Sequence, residues 1–311
     1  MRIVPILPFA AVAAMCCSLS AAGHGYAGKR FFTATILVED PFVADELALP
    51  TYTHRKGGEE PGVTEDEFEF EFAKRITPLL AFSIEGGWSR EHGGEEGKVE
   101  GFSNLGVGVK HQLVLDEDDE FVASIGAGVE LGGTGSEHMG VEDFNTYEAT
   151  VYVGKGFGSA GANWVKPFAV TAFAGLSIPA RGKTSFETID PDTLDPVTEE
   201  ERHVTHAVYG GTLQYSLAYL HANVEDTGLP DWANQITPVI ELSLDSPLAG
   251  DERTTGSINP GLIWSGQGYQ IGAEAVIPIN RDSGESVGFA VQLHFYLDDL
   301  FPNSLGKPLF E

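Results

Sequence analysis

The chain has 311 residues, of which 46 are Asp or Glu and 18 are Lys or Arg, for a formal net charge of −28. So large an acidic excess excludes nucleic acid as a partner, because phosphates need basic groups opposite them. The length suits one large barrel or two ordinary domains, and glycine is abundant at 38 residues.

Met1–Ala22 reads as a secretory leader: Arg2, an apolar stretch from Ile3 to Met15, then small residues around Ser20-Ala21-Ala22. A later cut, after Ala27, fits almost as well. The apolar stretch is too short for a retained anchor and is interrupted by Pro5 and Pro8. Ala14-Met15 before Cys16 is not a lipoprotein signal. Cys16 and Cys17 leave with the leader, so the mature chain is expected to hold no disulfide and no thiolate chemistry. Residues 23–44 follow as an expected N-terminal periplasmic segment.

From there the hydrophobic pattern has period two, which places successive side chains on opposite faces of a sheet. Twelve strands are predicted: Asp45–Arg55, Asp66–Arg75, Leu79–Ser89, Val99–Val114, Phe121–Leu131, Phe144–Phe157, Val165–Ile178, Thr205–His221, Gln235–Asp245, Gly256–Ser265, Tyr269–Ile279 and Val287–Leu297. Pro50 interrupts the first, and Phe31–Val38 competes with it. The final strand shows the pattern best, with Val287, Phe289, Val291, Leu293, Phe295 and Leu297 on one face. No stretch after the leader reaches the ~18 continuous apolar residues of a spanning helix. Most of the strands have the ~9–11 residues that cross a membrane at a tilt. A soluble sandwich has shorter strands, usually about 5–6 residues.

Connections alternate short and long. Thr77-Pro78, Asp116–Glu120, Gly158–Trp164, Asn223–Asn234 and Gly266–Gly268 form one set. Lys56–Glu65, Arg90–Lys98, Gly132–Asp143, Pro179–Val204, Ser246–Thr255 and Asn280–Ser286 form the other. Outer-membrane barrels have short periplasmic turns and long outer loops, and an even strand count closes without a free edge. The expected fold is therefore all-β: a transmembrane antiparallel up-and-down barrel of twelve strands over residues 45–298, with a tail at 299–311. Its expected place is the outer membrane of a Gram-negative bacterium, as a monomer among lipid and lipopolysaccharide, inserted by the barrel-assembly machinery.

Parity then sorts the side chains. Keeping Phe68, Phe70 and Phe72 outside turns Glu67, Glu69 and Glu71 inward, since carboxylates facing hydrocarbon are expensive. Glu85, Glu130, Glu148, Glu241 and Glu274 also face the lumen, with Lys110, Arg75 and His294 among the basic or polar residues there. Trp88, Trp164 and Trp264 sit at strand ends, where an aromatic girdle lies. Inward glycines such as Gly106, Gly126 and Gly210 leave room for water, while Tyr152, Phe173 and Tyr296 fill it. The acidity suits either a solvated surface or a cation-preferring lumen, and acidic loops also suit divalent cations at a lipopolysaccharide surface.

No catalytic group, metal set or cofactor motif is expected. No His-x-Ser pair of the outer-membrane phospholipases occurs. His24, His54, His92, His138 and His203 read as loop or strand-end residues without metal-site spacing. Gly126-Ala127-Gly128 and Gly154-Lys155-Gly156 precede no helix, so a phosphate loop is excluded.

Asp40-Pro41-Phe42-Val43-Ala44-Asp45-Glu46-Leu47-Ala48-Leu49-Pro50 leads into Glu67–Thr77. Gly154-Lys155-Gly156-Phe157-Gly158, Ala275-Val276-Ile277-Pro278-Ile279 and Gly288–Leu300 follow. Together these resemble a group of uncharacterised proteobacterial outer-membrane proteins, similar to the transporter family linked to MetA-type phenol-degradation pathways. The resemblance implies a twelve-stranded barrel and a transport role, with no catalytic residues. The chain departs from it at its end, where Phe310-Glu311 replaces a terminal aromatic on the last strand. Two functions follow as expectations. One is passive diffusion of small solutes, cations or neutral and even aromatic molecules. The other is a plugged barrel whose outer loops bind a partner.

Overall fold

The computed structural model describes residues 25–57, 62–93, 97–189, 196–251 and 253–310. The expected leader, with Cys16 and Cys17, lies outside them, as does His24.

A small hairpin, β1 (Tyr26–Ala27) and β2 (Arg30–Phe31), opens the described chain. The wall follows as β3 (Glu46–Lys56), β4 (Thr64–Thr77) and β5 (Leu80–Gly93). Next come the short β6 (Gly97–Phe102), then β7 (Leu105–Asp116), β8 (Phe121–Leu131) and β9 (Thr146–Gly156). β10 (Phe168–Pro179) precedes a loop hairpin of β11 (Lys183–Ile189) and β12 (Pro196–Arg202). β13 (His206–Tyr215) leads to two short helices, α1 (Leu217–Asn223) and α2 (Asp231–Asn234). The wall ends with β14 (Ile236–Pro247), β15 (Thr255–Ser265), β16 (Tyr269–Pro278) and β17 (Gly288–Tyr296), and α3 (Leu297–Leu300) follows.

Every neighbouring pair is antiparallel, and β17 pairs with β3 while β4 pairs with β5, which closes the ring. β6 extends β5 beyond the wall, so twelve strands make the barrel. The wall strands run from 9 to 14 residues, bracketing the ~9–11 of a tilted spanning strand. Pro50 is absorbed where the β3 register shifts against β4, between Ala48 and Thr51.

Three sequence expectations need correction. Val99–Val114 is two strands, because Asn104 turns aside: its Oδ1 accepts from the Thr134 and Gly135 N–H groups at 3.1 and 2.9 Å. Thr205–His221 stops as a strand at Tyr215. Ser216 Oγ accepts from the Tyr219 N–H at 3.1 Å, an N-cap that starts α1, so Leu217–Tyr219 do not line a lipid face. Replacing Ser216 by Ala is expected to lower unfolding stability by about 1 kcal/mol, read from the urea midpoint in detergent. Finally, Phe31–Val38 is not a wall strand, and residues 32–44 do not lie below the barrel. They lie inside it.

The outward face is apolar. Val107, Val109, Ile125, Val151, Val153, Leu213, Ile240, Ile258, Leu262 and Ile271 are all exposed, and their inward neighbours Ser124, Thr212, Gln214, Glu241 and Asn259 are buried. That is the inverse of a soluble protein and the pattern of a barrel wall in lipid. No helix among the described residues is long and apolar enough to cross a membrane.

Candidate functional site

The candidate site is the lumen, and the residues before β3 divide it in two. The chain enters from the end that carries the short turns, rises to mid-barrel near Ile36–Asp40, and returns to Asp45. Two small apolar contacts seat it. Phe32 and Phe42 pack with Ala27, Val122 and Ala169, and Ile36 packs with Val276 and Ala290.

Wall side chains satisfy many of its backbone groups that find no sheet partner. Gln214 Oε1 accepts from the Thr33 N–H at 3.2 Å, and its Nε2 donates to Thr33 O at 3.2 Å. Gln270 Nε2 donates to Ala34 O at 3.3 Å. Gln292 Nε2 donates to Ile36 O at 3.4 Å. The Glu241 carboxylate accepts from the Ile36 and Leu37 N–H groups at 2.8 and 2.9 Å. Ser124 Oγ donates to Pro41 O at 2.5 Å. A backbone with no sheet partner needs such a set, because an unpaired buried amide is expensive.

Both ends of the inserted segment are tied by buried charge. At one end Arg30 pairs with Glu120 at 3.2 Å, donates to Pro167 O at 2.9 Å and to Lys166 O, and stacks 3.6 Å over the Tyr219 ring. Tyr219 in turn donates to Glu120 Oε1 at 2.8 Å. Burial and the Glu120 carboxylate push its hydroxyl up to about 12, so it stays a donor at neutral pH. At the other end Asp45 accepts from Lys74 Nζ at 2.6 Å, from Arg75 Nε at 2.7 Å and from the Arg75 N–H at 2.8 Å. The same two basic residues hold the C-terminal tail: Lys74 Nζ donates to Lys307 O at 2.7 Å and Arg75 Nη2 to Gly306 O at 3.0 Å.

Above the inserted loop lies a cavity of about 600 Å³. Glu67, Glu69, Glu71, Glu85, Glu130 and Glu148 line it, as their parity in the sequence requires, together with Lys110 and His294. Two of the predicted acids do not. Glu241 and Glu274 are buried under the loop, because the loop needs Glu241 as a backbone acceptor. The Lys110 ammonium meets Glu39 of the loop at 2.6 Å and Asp40 O at 2.8 Å. Arg55, absent from the sequence expectation, pairs with Glu67 at 2.5 Å. Arg75 lies at the Asp45 knot rather than in the open lumen. His294 Nε2 meets Glu46 at 3.2 Å.

The tryptophans occupy both rims. Trp88 continues an outer stripe across four strands, with ring centroids of Phe289 and Tyr52 at 5.7 Å, Tyr52 and Phe68 at 4.7 Å, and Phe68 and Trp88 at 5.9 Å. At the opposite rim Trp164 lies 6.4 Å from Phe168, which meets Tyr215 at 4.7 Å. Trp264 lies 5.6 Å from Tyr269 and donates to Trp232 O at 3.0 Å. Among the outer loops, donor atoms of Glu142, Glu201 and His203 lie within 4.8 Å of one another. His203 is already engaged there, with Glu142 at 3.1 Å and Thr184 at 2.8 Å.

No family model matches the chain, and no curated protein does. Solved structures do match it. An outer-membrane channel of Pseudomonas putida superposes with a TM-score of 0.51 at 12% identity, over 82% of this chain and 96% of that one. The KdgM porin matches at 0.44 with 10% identity, over 79% and 97% of the two chains. The NanC porin matches at 0.45 with 11% identity, over 80% and 98%. What these likenesses share with the chain is the fold.

Proposed function

We propose that the protein is an outer-membrane channel for small solutes, closed at rest by its own N-terminal segment and biased toward cations or neutral molecules. The observation that carries this reading is the acid-lined cavity of about 600 Å³ above the inserted loop. Its apolar belt and aromatic rims suit the outer membrane of a Gram-negative bacterium, with Trp88, Trp164 and Trp264 as interface anchors. The leader, if cleaved, delivers the chain to that side of the cell.

Carboxylates on the wall concentrate cations and repel anions by focusing the field across a narrow lumen. Glu69, Glu71, Glu85 and Glu148 are the residues to which that selectivity is assigned. The resemblance to the phenol-linked transporter family extends the proposal to neutral aromatic solutes. Planar-bilayer recording tests the reading directly. In a chain whose loop has been removed, changing those four acids together to glutamine is expected to move the reversal potential in a salt gradient toward zero. An unchanged reversal potential would remove the acids from the selectivity assignment.

A second reading is favoured by one observation: the loop fills the lower lumen. In that case the barrel is a scaffold, and the hairpin of β11 and β12 is its working part. Deleting residues 183–202 separates the two, since a scaffold loses its partner while a channel keeps its conductance.

A further inference from the structure

Beneath the loop, three buried polar side chains converge, and two of them lack the hydrogen-bond partners their burial demands. Glu241 on β14 and Asn259 on β15 are direct cross-strand neighbours, and both are 0% exposed. Glu274 on β16, 4% exposed, sits opposite Gly261, where an added Cβ would collide with Glu274 Cγ. The glycine therefore lets the Glu274 side chain lie across β15, on the same inward face as Asn259 and its cross-strand neighbour Glu241.

The satisfied member is Glu241, whose oxygens accept from the Ile36 and Leu37 N–H groups. The other two are not satisfied: both oxygens of Glu274, and both the Oδ1 and Nδ2 of Asn259, have no hydrogen-bond partner. Two ionised carboxylates offer each other no proton, and a buried unpaired charge is among the least favourable arrangements in a protein. Asn259 is an independent sign that something belongs there, since a fully buried amide with no partner is rare.

We propose that Glu241, Glu274 and the Oδ1 of Asn259 form a binding site for a hard cation such as calcium. Oxygen ligands of this kind are what calcium takes, and two carboxylates cancel its charge. The site rests on the inserted loop from the wall side, so the ion fixes Glu241 in the position that holds Ile36 and Leu37. Cation binding and loop insertion are thereby coupled: removing the ion loosens the loop's contact at mid-barrel. This inference deepens the channel reading by naming an agent that regulates closure, but the site itself stands whether or not the barrel conducts.

Calcium binding is tested on the refolded full chain by equilibrium dialysis with metal analysis, with folding confirmed by heat-modifiable gel mobility. A His203→Ala background removes the loop cluster of Glu142, Glu201 and His203 from the count. One calcium per chain is expected. Affinity falls at least about tenfold in Glu274→Gln and in Asn259→Ala, is kept in Asn259→Asp, and is unaffected by Glu148→Gln in the open cavity. The second readout is thiol labelling of Leu37→Cys in a chain with Cys16 and Cys17 changed to serine. Calcium is expected to slow labelling at least about tenfold, and Glu274→Gln to abolish that protection. Absence of bound calcium, or binding that ignores Glu274→Gln, overturns the proposal. So does a Leu37→Cys site equally protected with and without calcium, which would leave a shared proton between the two glutamates as the account. A bilayer without conductance would count against the channel reading alone.

Discussion

Removing residues 25–44 is expected to raise single-channel conductance in a planar bilayer by at least about tenfold, with the twelve-stranded wall still folded. The reason lies in what the loop rests on. Its apolar contacts are two small clusters, around Phe32 and Phe42 and around Ile36. Its polar contacts run along the wall through Gln214, Glu241, Gln270, Gln292 and Ser124. If the loop leaves, these side chains face water, which satisfies them as well as the loop did. An aliphatic core stripped of half its packing would instead collapse or lose several kcal/mol. The wall under the loop is thus already lined for water. Conductance unchanged by the deletion, in protein that keeps heat-modifiable mobility, would show that the loop is not what closes the lumen.

The second large effect is expected at Asp45. This carboxylate is fully buried and faces two cations, Lys74 and Arg75. Asp45→Ala leaves Lys74 buried without a carboxylate and Arg75 with only Asp298 at 3.7 Å, and breaking such a pair from one side is expected to cost about 3–5 kcal/mol. The midpoint of urea unfolding in detergent measures it. A matched control is Asp143→Ala, whose partner Arg181 is half-exposed; such surface pairs contribute about 0–1 kcal/mol. Equal effects at the two positions would mean that the Asp45 knot is no tighter than a surface pair.

Much of the wall was legible because parity is a local property. Phe121–Leu131 is a strand with the predicted bounds; of its inward set, Val122 and Ser124 are buried, while Gly126, Gly128 and Glu130 line the open cavity. The same rule turned Glu67, Glu69 and Glu71 into the cavity. It failed where a local alternative to the strand existed. Ser216 continued the alternation, yet its hydroxyl caps a helix three residues on.

It was silent about the inserted loop, whose partners are remote: Glu241 lies 205 positions from Ile36, and Gln292 lies 256 from it. Phe31–Val38 has the composition of a strand because it too is buried, but it pairs with side chains instead of a neighbouring backbone. A usable signal was present in the inward polar positions. Gln214, Glu241, Gln270 and Gln292 form a band of donors and acceptors in the lower lumen, which is what an unpaired backbone requires. Lys110 faces the lumen as its parity requires, but its partner Glu39 belongs to the inserted loop, which parity does not place.

The tail after β17 has a consequence for how the barrel is made. Its last turns bind main-chain groups of β4, with the Leu309 N–H donating to Arg75 O at 3.1 Å and the Phe310 N–H to Ile76 O at 2.8 Å. The Leu297 N–H also donates to Asp45 O at 2.8 Å. These acceptors lie on β4 and just before β3 while the donors follow β17, so they come together only once the seam between β17 and β3 has met. The tail is therefore a clasp that can snap shut only on a finished ring. Its docking marks the moment at which no edge of the ring remains unpaired.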